Sequence, residues 1–196
     1  MYVIYVTGLG DHDPRGQRLA LKLWPLWGVK AELFQMNWAD NESWQTKFDR
    51  LLRRIDSLTG KAESVALVGA SAGAGAAINA FAARKDKLAG CVLIAGKVNN
   101  PDSIGQAYRR KNPAFVESAY EAPKSLLKLK DEDRARVLSR YGLMDEMVRR
   151  PDSVISGAVN QIVPSIGHFL TIALQITIGA PSFIRFLKKQ SKPGQI

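Results

Sequence analysis

The stretch Val65-Ala66-Leu67-Val68-Gly69-Ala70-Ser71-Ala72-Gly73-Ala74-Gly75 decides how the rest of the chain is read. Its first half is almost wholly apolar, as a parallel strand buried on both faces should be. Its second half opens an alanine-rich helix over 72–84. Between them, Gly69-Ala70-Ser71-Ala72-Gly73 spells G-x-S-x-G. Small residues on either side let a strand turn sharply into a helix and push the serine hydroxyl clear of the backbone. Two other readings are a turn that merely packs helix on sheet and a phosphate-binding glycine loop. The second lacks the Lys-Ser/Thr of a P-loop and the G-x-G-x-x-G spacing.

Working outward, strands are expected at 2–6, 30–36, 64–68, 88–95, 135–141 and 160–163. Helices are expected at 15–26, with an apolar face of Leu19, Leu23 and Leu26, and at 41–58, 72–84 and 168–187, the last broken near Pro181. A short helix follows Pro151. Strand–helix alternation predicts an α/β fold, a three-layer sandwich around a mostly parallel six-stranded sheet. Reacting groups then gather at the carboxyl ends of the strands. Residues 97–133 break the rhythm with Pro101, Pro113 and Pro123 and read as short helices and loops forming a small cap. Its aromatics Tyr108, Phe115 and Tyr120 are candidates to roof a substrate pocket.

A serine nucleophile needs a base, and the chain has only two histidines, His12 and His168. His168 follows the last strand, which favours it over His12. The base needs a carboxylate to fix its tautomer. Asp145, after the fifth strand, is the first choice, with Glu146 and Asp152 in reserve. An oxyanion site needs two backbone N–H groups. Ala72, next after the serine, offers one. Leu9, in Thr7-Gly8-Leu9-Gly10-Asp11, offers the other.

The order of Gly8-Leu9-Gly10, G-A-S-A-G around Ser71, Gly142-x-x-Asp145 and Gly167-His168-Phe169 resembles the α/β-hydrolase family over nearly the whole chain. The resemblance implies Ser71 as nucleophile, Asp145 as acid, His168 as base, and Leu9 and Ala72 as oxyanion donors. It departs from the family where a frequent His-Gly is Thr7-Gly8. It also starts at the oxyanion-loop strand, which suggests a compact variant. The expected substrate is a small acyl ester or thioester, with a modest acyl group under a small cover. The chemistry asks for no metal and no cofactor. A non-catalytic ligand-binding protein of the same fold is one rival reading, and a binder of anionic surfaces, nucleic acid or membrane, is a second.

Composition bounds these expectations. The 196 residues are 46% hydrophobic and 23% charged, enough for one buried core and too few for two ordinary domains. One cysteine, Cys91, excludes an internal disulfide framework and a cysteine-based zinc knuckle. With no signal-like start, it points to a reducing, cytoplasmic setting. The net charge of +10 is scattered. Its one-sided portion is Arg185, Lys188, Lys189 and Lys192, so nucleic acid is not expected as a partner, while peripheral contact with an anionic membrane is conceivable.

Overall fold

A computed structural model describes residues 1–191; Lys192 of the basic tail lies outside the described residues. Six strands form one parallel sheet in the order β2-β1-β3-β4-β5-β6. They are β1 Tyr2–Val6, β2 Lys30–Phe34, β3 Val65–Ala70, β4 Cys91–Ile94, β5 Val137–Met144 and β6 Val159–Ile166. The helices are α1 Arg15–Leu21, α2 Trp44–Thr59, α3 Ala72–Arg84, α4 Gln106–Lys111, α5 Pro113–Leu127, α6 Asp131–Arg134, α7 Arg150–Ser153, α8 His168–Ile176 and α9 Ala180–Gln190.

The central strands are apolar on both faces because both are covered. Every residue of β3 and β4 is buried. One face packs under α2, α3 and α5, through Leu51, Ile55, Ile78, Phe81 and Phe115 among others. The other packs under α1, α8 and α9, through Leu21, Ile176, Phe183, Ile184 and Leu187. The strand order reverses between β1 and β3. That reversal opens a crevice at the carboxyl ends of these two strands, where ligands bind in open α/β sheets.

The first helix corrects an expectation. Leu19, Leu23 and Leu26 do not form its inner face; they are 67%, 43% and 78% exposed. The helix stops at Leu21, and a tighter 3-10 turn, Trp24–Trp27, carries Pro25 and ends at Gly28 with φ 69°. The change of pitch turns Trp24 inward, where its indole N–H donates to the Ile176 carbonyl at 2.9 Å.

The interval between β4 and β5 also differs. Pro113–Leu127 is not a run of short pieces but one 15-residue helix in the main core layer, with Phe115, Ala119, Ala122 and Leu126 buried. Pro113 stands in its first turn, where a missing N–H costs nothing, so it starts the helix rather than breaking it. A 3-10 turn, Pro101–Ser103, and α4 precede it and border the crevice. Among the described residues no single helix is long and apolar enough to cross a membrane.

Candidate active site

Ser71 sits between β3 and α3 with φ 52° and ψ −122°, a conformation that non-glycine residues seldom adopt. Its own amide donates to the Ile94 carbonyl at 2.9 Å, and its carbonyl accepts from Ala74 at 3.0 Å. The flanking glycines are required by close approach. A β-carbon at Gly73 would stand 2.3 Å from the Val6 carbonyl oxygen; one at Gly69 would stand 2.5 Å from that of Gly73. With any larger residue α3 could not come down onto β1 and β3, and the serine would not be lifted into the crevice.

His168 opens α8 directly after β6 and is only 1% exposed. Its Nε2 lies 2.9 Å from Ser71 Oγ, and its Nδ1 lies 2.8 Å from Asp145 Oδ2. Asp145 follows β5 immediately. Its other oxygen accepts the N–H groups of Met147 at 2.9 Å and Val148 at 2.8 Å, which holds the carboxylate in place beside the ring. Burial alone would push this carboxyl up. The hydrogen bonds from His168, Val148 and Met147 outweigh it and hold the group below its ordinary value. An ionised Asp145 makes Nδ1 the protonated nitrogen, so Nε2 is left with a lone pair to accept the serine O–H.

Two further carboxylates shape the site. Glu146, a reserve candidate for the acid, does not face the ring. It accepts the backbone N–H of His168 at 3.0 and 3.2 Å and so caps the start of α8. Asp11 has no motif of its own in the sequence beyond closing Thr7-Gly8-Leu9-Gly10-Asp11. It is buried and gathers the Thr7 hydroxyl at 2.9 Å, the Asn37 N–H at 2.7 Å and the Trp38 N–H at 3.3 Å. Those bonds tie the loop after β1 to the loop after β2. Among the described residues neither the Leu9 N–H nor the Ala72 N–H is donated to a protein acceptor. Gly8 of that loop lies directly against Ser71.

Two cavities meet at Ser71. The larger, about 510 Å³, runs between α1 and α8 and is lined by Leu9, Gly16, His168, Phe169, Ile172 and Ile176 among others. The smaller, about 100 Å³, is bounded by Lys97, Ser103, Ile104, Phe115 and Val148. Tyr108 and Met147 border both. Tyr120 borders neither, contrary to expectation. Its hydroxyl bonds to the Asp102 carboxylate and its ring lies beneath Arg109, so it braces the turn before α4 instead. Asp152, the other reserve acid, is spent on Lys97 at 2.8 Å. His12 is exposed on the loop before α1. Nothing in the local sequence announces the roles of Asp11, Glu146 or Lys97, because the groups that define those roles are backbone N–H groups or lie far along the chain.

No protein-family model and no curated protein matches this sequence. Solved structures do. The carboxylesterase Cest-2923 from Lactobacillus plantarum superposes with a TM-score of 0.72 at 14% identity, over 98% of this chain and 87% of its own. Est1E from Butyrivibrio proteoclasticus gives 0.72 at 15%, over 96% and 88%. The esterase domain of a Rhodothermus marinus protein gives 0.72 at 12%, over 97% and 88%. The chain therefore has the α/β-hydrolase fold.

Proposed function

We propose that this protein is a serine hydrolase of carboxylic esters, including thioesters, working through Ser71, His168 and Asp145. The observation that carries the reading is the continuous chain of contacts from Asp145 Oδ2 through both ring nitrogens of His168 to Ser71 Oγ. The esterases among the structural neighbours support it at the level of the fold.

In this reading each step has a residue to perform it. Ser71 Oγ adds to the acyl carbonyl carbon while its proton passes to His168 Nε2. The Asp145 carboxylate stabilises the imidazolium that forms. The negative charge that develops on the carbonyl oxygen falls to the free N–H groups of Leu9 and Ala72, at the start of α3. Each such donor contributes about 3 kcal/mol to the transition state in comparable sites. The bond to the leaving alcohol breaks, and Nε2 returns the proton to that oxygen. Water then gives a proton to Nε2 as its oxygen adds to the acyl carbon; the bond to Ser71 Oγ breaks, Nε2 returns the proton to Oγ, and the acid is released.

The test is labelling with a fluorophosphonate together with turnover of p-nitrophenyl acetate. Covalent modification at Ser71 and hydrolysis lost in Ser71→Ala are the expected results. A folded wild-type protein that neither labels nor turns over the ester is a ligand-binding protein, and the proposal fails.

A further inference from the structure

Lys97 is an unusual residue to find in the wall of the smaller cavity. It follows β4, its side chain is 7% exposed, and it shares that cavity with Ser71. Its ammonium contacts Asp152 Oδ2 at 2.8 Å and the Ser103 hydroxyl. Neither partner has much left to give. Ser103 donates its own proton to the Asn100 carbonyl at 3.0 Å, and the second Asp152 oxygen accepts from the Asn100 amide at 2.8 Å. An ammonium carries three N–H donors. Among the described residues the ammonium makes one hydrogen bond, to Ser103, and one ion-pair contact, to Asp152, and Lys97 is among the residues that line the cavity.

A tether alone does not account for this. A buried ion pair contributes little net stability compared with packed apolar groups of the same size, because both charges must be desolvated. Arg149 stands 3.8 Å from the same Asp152 oxygen, so the local balance leans positive. Most of the remaining wall, Leu9, Ile104, Phe115, Met147 and Val148, is apolar, and the phenol of Tyr108 is the other polar side chain there besides Ser71 and Ser103.

The two cavities divide the ester. His168 must protonate the leaving oxygen, and His168 lines the larger groove and not the smaller cavity. The alcohol therefore leaves along the groove, and the acyl chain enters the smaller cavity. Its volume of about 100 Å³ corresponds to about three waters, room for a short chain of carbon and oxygen atoms.

We infer that Lys97 selects acyl groups that end in an oxygen acceptor a few bonds from the reacting carbonyl. The inference rests on the ester-hydrolase reading above and names its substrate class. A site built to hydrogen-bond an oxygen discriminates strongly against the analogue that lacks it, since the donor is then left buried and unpaired.

Three ethyl esters of nearly equal shape test it: ethyl 4-oxopentanoate, ethyl hydrogen succinate and ethyl 4-methylpentanoate, compared by kcat/KM from ethanol release. At least one oxygenated ester is expected to exceed the methyl analogue by about tenfold or more. A preference for the succinate half-ester alone assigns the selection to charge; a preference for both assigns it to hydrogen bonding. In Lys97→Met the ratio is expected to fall to near one. Lys97→Gln is the second variant, because it keeps a polar side chain without the charge and with one fewer N–H, and the ratio should fall there too. Reading ratios within each protein cancels changes in absolute rate. Equal or lower values for both oxygenated esters in the wild type overturn the inference, as does a preference that survives either substitution. Turnover of p-nitrophenyl acetate without turnover of any of the three also overturns it. Absence of p-nitrophenyl acetate turnover is instead a failure of the ester-hydrolase reading itself.

Discussion

Gly8 faces Ser71 so closely that a β-carbon on Gly8 would stand 2.9 Å from the serine Cβ and 3.0 Å from the Ala70 carbonyl oxygen. The first contact is shorter than real β-carbons show, the second is tighter than most, and neither belongs to a flexible side-chain end. Gly8→Ala must therefore displace either Ser71 or the loop that carries Leu9. A displacement near 1 Å at reacting atoms costs about a hundredfold in rate. The expected result is kcat for p-nitrophenyl acetate reduced by about that factor, with KM changed far less. A variant as fast as the wild type would mean the loop yields without consequence.

Ser71 holds its conformation against a local preference, and that strain is separable from its chemistry. Non-glycine residues forced to such angles pay about 1–3 kcal/mol. Ser71→Gly removes the β-carbon and the hydroxyl together; Ser71→Ala removes only the hydroxyl. Both should lose ester turnover by at least about ten-thousandfold. The glycine variant should then melt about 2–4 °C above the alanine variant, corresponding to about 1 kcal/mol for a chain of this size. Calorimetry of the two proteins side by side reads the difference directly.

Asp145 and Glu146 are neighbours with different tasks. Asp145 touches the ring of His168, and Glu146 touches only its backbone N–H. Asp145→Asn preserves shape but lets the ring adopt the wrong tautomer, and a fall of about ten-thousandfold in kcat is expected. Glu146→Gln keeps an acceptor for the helix start and should cost less than about tenfold. Steady-state kinetics in which Glu146→Gln proves the more damaging would reassign the acid.

Acid should weaken the fold through Asp56. The guanidinium of Arg84 and the ammonium of Lys87 beside it lower its carboxyl from 3.8 to about 2. A carboxyl that is more acidic when folded adds stability above its unfolded value and loses it as pH falls through the folded one. The window is therefore pH 4 down to about 2. Asp56→Asn should lower the urea midpoint at pH 6 and flatten its decline across that window. An unchanged slope in urea titrations at stepped pH would remove Asp56 from the account.

The strong local signals carried most of the fold. β3 is apolar end to end and is followed by small residues, so its burial and its turn were both readable from adjacent positions. Ser71, His168 and Asp145 were legible because each comes directly after a strand, where the topology brings strand ends together. Failures arose where one element borrowed its geometry from another. The inner face of α1 depends on a change of pitch at Trp24, and the length of α5 depends on Pro113 occupying a first turn. Tyr120 looked like a pocket aromatic, but its side chain answers to Asp102 and Arg109. The Lys97–Asp152 pair spans two separate connections, and no spacing rule links them.

The contact between Ser71 and His168 joins residues 97 positions apart and needs β6 in place on β5. Non-local contacts of this kind form late, after the entropy of closing long loops has been met. A nascent or refolding chain that has completed β1 to β4 has Ser71 in place in its sequence but not yet His168 beside it. Regained turnover in a refolding experiment is therefore a clock for the final strand: it should lag the recovery of helical signal and coincide with docking of the edge of the sheet.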